Sequence, residues 1–151
     1  MSKKMILLLF ALSFAKMANA EIPLSAIRTT NVDDICTTLT GTIRNVSVQT
    51  KHRVYIRDGV PGGNHTGICS GVEGCEVDHR ISLELGGSND ITNLMIQPYY
   101  GSCNAHQKDH LENRLHKLVC SKLITPQTAQ SEIYNNWRAA YTEYINPLGC
   151  Q

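Results

Sequence analysis

Beyond residue 20 the chain has no apolar run long enough to cross a bilayer, which takes about 20 consecutive apolar residues. It has no C-x-x-C pair either; the nearest approach is Cys69-x5-Cys75, so the usual spacing of a zinc knuckle is missing. No internal repeat, low-complexity tract or second domain is visible. A basic excess is lacking too. Setting Lys3, Lys4 and Lys16 aside from 14 basic residues leaves 11 against 13 acidic ones, a net charge of about −2 with His neutral. That counts against a tight, non-specific nucleic-acid binder, which needs many Lys and Arg contacts to phosphate. An enzyme that releases its product needs fewer.

The start of the chain is different. Lys3 and Lys4 precede the apolar run Met5 to Ala15, and Ala18-Asn19-Ala20 offers an A-x-A cleavage site. This pattern predicts a signal peptide over 1–20, since eleven apolar residues are too few for a membrane anchor. The product expected is a secreted or periplasmic domain, 21–151, with no membrane segment. Its length of about 131 residues suits one domain. All six cysteines (Cys36, Cys69, Cys75, Cys103, Cys120 and Cys150) follow the leader. An even number in an exported chain predicts disulfides over zinc, with fifteen possible pairings. Cys69–Cys75 is the local candidate.

Residues Glu21 to Asn31 carry no periodicity and read as an extended arm, followed by a short helical turn within Asp33 to Leu39. The β-branched run Thr40 to Val48 reads as strand or extended chain. Thr50 to Arg57 reads as a short helix closed by Asp58-Gly59; its Lys51, His52, Arg53 and Arg57 form the most basic patch. Pro61 to Gly74, with its glycines, reads as a loop. Asn64-His65-Thr66 and Asn45-Val46-Ser47 match the glycosylation sequon. Two short strands are expected near Glu76 to Ser82 and Asn93 to Gln97, joined by an ordered loop. Asn104 then caps a helix to about Cys120, with Leu111, Leu115, Leu118 and Val119 as its apolar stripe. Thr125-Pro126 opens a last helix to about Ile145, whose Ile133, Trp137, Tyr141 and Tyr144 read as core.

The stretch 75–113 concentrates the candidate chemistry. Asp78-His79 precedes Gly86-Gly87-Ser88-Asn89-Asp90, Asn93 follows, and His106 stands at the start of a helix. A histidine near neutral pKa can activate water as a general base. A divalent cation on carboxylate and imidazole can stabilise charge on phosphorus oxygens and on a leaving alkoxide. Asp78 and His79 are neighbours on a strand and point to opposite faces if it is regular, so a local bend or the strand's end is expected to bring both to the site.

This order of residues resembles the HNH endonucleases, an exported bacterial type in particular. The resemblance is tight from Glu76 to Asn113 and broader from Val54 to Tyr144. It implies a small single-domain α+β fold with a ββα-metal finger core, further helices and disulfides. It also implies an endonuclease that cleaves DNA, and RNA as a second substrate, with one divalent cation. Magnesium comes first, with manganese, nickel and zinc as alternatives. Carried over, His79 is the general base, Asn93 the residue that braces it, and Asp78 and His106 the metal ligands. The thirteen-residue gap from Asn93 to His106 exceeds the usual nine, so His110 is a rival ligand and Asp109 a more distant one. Arg80 and Lys108 are candidate substrate contacts, Lys108 being equally readable as a solvated lysine. Glu76 and Glu84 are read as neighbours of the site or as surface. His52, His65 and His116 are read as structural or surface. Two other readings stand beside the nuclease. One is a catalytically inert, disulfide-stapled binding module; the other is a bacteriocin-type toxin with an immunity partner.

Overall fold

The structure, a computed structural model, describes residues 20–60, 68–69 and 72–151. The leader up to Asn19, the sequon at Asn64 and His65 lie outside the described residues. Among the described residues, helices and 3-10 turns surround two small two-stranded sheets in an α+β architecture.

Two long helices supply most of the core. Helix α4 (Ala105–Cys120) starts where the Asn104 side chain accepts the Gln107 N–H, and α5 (Pro126–Tyr144) where Thr125 accepts the Thr128 N–H with Pro126 in the first turn. Each cap satisfies a donor that the first turn leaves without a partner. Leu111, Leu115, Leu118 and Val119 of α4 pack against Ala129, Ile133, Trp137, Ala140 and Tyr141 of α5. Fully burying a side chain of the Leu or Ile kind contributes about 1.5–3 kcal/mol, so this helical pair anchors everything else. Ile35 of the short α1 (Val32–Thr37) joins the cluster, as do Ile81 and Leu85.

The larger sheet is an antiparallel pair, β3 (Cys75–His79) and β4 (Leu94–Pro98), with Cys75 opposite Pro98 and His79 opposite Leu94. Val77 and its cross-strand partner Ile96 pack with Tyr55 of α3 (Val48–Arg57) in a second apolar cluster. A smaller hairpin, β1 (Ile68–Cys69) with β2 (Val72–Glu73), precedes β3. The expected loop there therefore contains paired backbone.

The first expected strand is not one. Residues Thr40–Ile43 form the single-turn helix α2, and the following residues up to Ser47 lead extended into α3. No neighbouring strand pairs with this segment among the described residues, and β propensity without a ladder partner is a weak preference. The strand expected to reach Ser82 ends at His79. Beyond it Ser82 opens a 3-10 turn (Leu83–Leu85), and a second such turn, Ile91–Asn93, leads into β4.

Both glycines of the intervening loop are required. Gly86 has φ +83°, and a Cβ there would lie 2.4 Å from the Thr29 carbonyl oxygen; at Gly87 it would lie 1.9 Å from that of Ile81. The N-terminal arm, expected to be merely extended, is held against this loop. Arg28 and Thr29 donate to the Gly86 carbonyl, and Ser88 donates to that of Ala26.

Disulfides Cys36–Cys120 and Cys103–Cys150 tie α1 and the C-terminal tail to opposite ends of α4. Cys75 is disulfide-bonded as well; the side chain of Cys69 lies outside the described residues. No helix among the described residues is long and apolar enough to cross a membrane.

Candidate active site

Strand alternation sorts the site into two sides. Val77 and His79 face the α2–α3 connection, where with Arg44, Asn45, Val46 and Lys51 they line a cavity of about 220 Å³. Glu76 and Asp78 face the other way, toward Tyr99 and Lys108. Asp78 and His79 point apart because β3 stays regular through His79, so the bend expected to bring both side chains to one site is not there.

His79 is 2 % exposed. Its Nε2 lies 3.1 Å from Asn89 Oδ1. The Asn89 Nδ2 donates to the Ile43 carbonyl at 2.7 Å, and Asn45 N–H donates to Oδ1 at 3.2 Å. The amide orientation is thereby set, with its oxygen facing the imidazole. Only a donor can satisfy that oxygen, so Nε2 carries the proton of the neutral ring and Nδ1 keeps the lone pair. Burial lowers the His79 pKa, against the Asn89 hydrogen bond and the Asp78 charge that favour protonation. The ring is neutral at neutral pH and able to accept a proton.

Asn93 is fully buried and occupied by backbone. Its Oδ1 accepts the Ile81 N–H, while Nδ2 donates to the carbonyls of Ile81 and Ser88, all at 2.9 Å. It thereby closes the loop between the two strands, and the loop carries Asn89. Gly87 lies against the same amide, where any Cβ would be 2.8 Å from Asn93 Nδ2.

Lys108 corrects the reading of a solvated lysine. It is 0 % exposed, and Nζ donates to Asp78 Oδ2 at 2.7 Å, to the His79 carbonyl at 2.7 Å and to Glu112 Oε1. As a direct contact for substrate it is enclosed; what it does is lock the end of β3 onto α4. Burial opposes its charge, but the Glu112 and Asp78 carboxylates outweigh burial and raise its pKa. Burial raises the Glu112 carboxyl in turn, against the pull of Lys108.

Asp78 is committed at both oxygens, Oδ2 to Lys108 and Oδ1 to the His79 N–H at 2.7 Å. Around it lie Glu76 and Asp109. Burial raises the pKa of each, and the Asp78 charge raises it further. His106 and His110, both exposed, act on Asp109 in the opposite sense. His106 stacks on Tyr99, ring centroids 5.5 Å apart, and Tyr99 donates to Glu76 Oε2. The phenol of Tyr99 is pushed up to about 12 by burial and by that bond. Arg80 turns elsewhere, its guanidinium 5.8 Å from the Tyr134 ring centroid. Glu84 and Asp109 line a second polar cavity of about 260 Å³, together with Glu112, Asn113 and Arg44. Arg44 thus borders both cavities.

Three participants were not legible as such. Asn89 reads as a turn residue in the sequence, and Arg44 as one position of an expected strand. Glu112 was the most accessible, since it stands four residues after Lys108 on a helix, a spacing that pairs opposite charges.

No protein-family model, curated protein or solved structure matches this chain.

Proposed function

We propose that the chain is an exported, metal-dependent endonuclease of the HNH type, which hydrolyses phosphodiester bonds of DNA and, as a second substrate, RNA. The observation that carries the reading is the state of His79. It is a neutral imidazole whose tautomer Asn89 fixes, and it opens on a cavity bordered by the cations Arg44 and Lys51. Nδ1 takes the proton of a water aimed at phosphorus. Arg44 and Lys51 supply positive charge where the phosphate sits, and the 5′ phosphate stays on the product. Asn93 works through the loop, keeping Asn89, and hence the ring, in position.

The resemblance also implies one divalent cation. The donor set on the Asp78 side, with Asp109 carboxylate and the His106 and His110 imidazoles, suits magnesium, manganese, nickel or zinc. Carboxylate oxygens have a second lone pair beyond one hydrogen bond, so Asp78 can still serve as a ligand. Among the described residues no three of these four bring ligand atoms within 4.8 Å of one another. The exposed His106, His110 and Asp109 would therefore have to turn to meet the cation. A cation held there would lie across β3 from the His79 cavity and would supply a Lewis acid to a phosphate that reaches past Arg44, which borders the polar cavities on both sides.

The disulfides suit a secreted or periplasmic location. The test is incubation of the purified 21–151 chain with supercoiled plasmid and with RNA, with each metal and with chelator. Cleavage that chelator abolishes is expected, together with a loss of at least about 100-fold in His79→Ala, the low end for a general base. Arg44→Ala should weaken substrate affinity and rate together. Intact nucleic acid under every metal, or near-normal cleavage by His79→Ala, overturns the reading. Intact nucleic acid with retained binding would leave the inert binding module.

A further inference from the structure

The group at the far end of α4 has no part in this chemistry. His116 and Cys120 stand one turn apart on α4, and Cys36 reaches them from α1. One nitrogen of His116 and the two sulfurs lie within 4.8 Å of one another, and no other triad of His, Cys, Asp or Glu does so among the described residues. His116 Nε2 is 3.5 Å from Cys120 Sγ and 3.3 Å from the Ile35 carbonyl oxygen. All three residues are half-buried. At about 1.5 Å of rise per residue, His116 is roughly 15 Å along the helix from His106, so the two sets of ligands are separate.

We propose that Cys36, His116 and Cys120 form a redox-gated site for a thiophilic divalent cation of the zinc class, closed while the disulfide stands and open once a thiol has reduced it. Metal binds thiolate, not disulfide sulfur, so the Cys36–Cys120 bond excludes the cation. A low-molecular-weight thiol removes that block by exchange. Its thiolate attacks one sulfur, a mixed disulfide forms, and a second thiol displaces it. Two thiols of the reductant leave as their disulfide, and Cys36 and Cys120 gain two electrons and two protons. The cation then displaces those two protons, and His116 completes the set through Nε2 once the ring proton has moved to Nδ1 and the contact with the Ile35 carbonyl is given up. Two thiolates cancel the charge of a divalent ion, which suits a half-buried place. Three protein ligands leave water the fourth tetrahedral position. His-x3-Cys on one helix face brings two of the donors together without rearranging the backbone. The metal would then hold α1 to α4 where the disulfide had held it.

The test uses the whole 21–151 chain and cobalt(II), which occupies tetrahedral zinc sites and absorbs through thiolate-to-metal charge transfer. After reduction by a phosphine, wild type should take up one equivalent of cobalt with that absorption. Zinc should displace the cobalt, and re-oxidation should release it. Reduced His116→Ala should bind at least tenfold more weakly, and Cys36→Ser/Cys120→Ser should lose the absorption. Equal uptake by the double variant would assign the signal to the other cysteines and overturn the proposal. Equal affinity in His116→Ala, or no uptake at all, would also overturn it. If reduction alone unfolds the protein, zinc should restore its circular dichroism, and a chain that stays unfolded with zinc refutes the site.

Discussion

Replacing Lys108 by Met tests the buried charge network most directly. Methionine is unbranched and flexible, so it can follow much of the path of the lysine stem with a small packing penalty. The ammonium is lost, however, and with it one donor shared by Asp78, Glu112 and the His79 carbonyl. Removing one partner from a buried ion pair costs about 3–5 kcal/mol, because the remaining charge is left uncompensated. Against a total stability of about 5–15 kcal/mol this is a large fraction. For a domain of this size it corresponds to a fall in Tm on the order of 10–20 °C. Removing Glu112 as well, in Lys108→Met/Glu112→Leu, should recover part of the loss, since it takes away one of the two carboxylates left without the ammonium while Asp78 keeps its charge. The pH dependence has a definite sign. In the fold the Glu112 carboxyl is raised above its unfolded value, more so without Lys108. Protonated Glu112 is therefore the form the variant favours. The stability it contributes is complete below about pH 4.3 and disappears as pH rises through the folded value. The gap between variant and wild type should thus be narrower at pH 4.5 than at pH 7. Denaturant unfolding at both pH values measures it. A loss under about 1 kcal/mol at pH 7, or a gap that widens on acidification, would show that the ammonium does not offset these carboxylates.

Asn93→Ala removes three hydrogen bonds from backbone groups, those of Ile81 buried and that of Ser88 half-buried. At about 1–3 kcal/mol for each group left unsatisfied, a loss of at least about 3 kcal/mol in urea unfolding is expected. Gly87→Ala would force a Cβ to 1.9 Å from the Ile81 carbonyl oxygen. It should cost at least about 2 kcal/mol and lower nuclease activity at temperatures where the variant remains folded; full activity with unchanged stability would contradict the packing. His79 has a depressed pKa in the fold, so its stability contribution is present above the unfolded value of about 6.5 and is lost as pH falls through the folded one. As the proposed general base it would also set the acid limb of the pH–rate profile, whose midpoint should lie below pH 6.5. A midpoint above 7 would contradict a buried neutral base.

The sequence by itself determined the elements with local causes. Asn104 and Thr125-Pro126 start the two long helices, because a cap acts within three residues of itself. The apolar stripe from Leu111 to Val119 is buried as its period requires. The short strands and the glycine loop between them were legible, because Gly86-Gly87 permits backbone conformations that other residues resist; that a Cβ has no room there only the packing shows. What the tertiary structure decided depends on neighbours distant in the chain. The run Thr40–Ile43 is helical, with no strand beside it among the described residues. Lys108 reads as solvated until Asp78, thirty residues earlier, is brought to its ammonium. Asn89 fixes the His79 proton only because it also holds the Ile43 carbonyl, and that contact carries Arg44 to the edge of the same cavity. A side chain's type is written in the sequence, but its protonation, burial and partners follow from which segments the fold packs together.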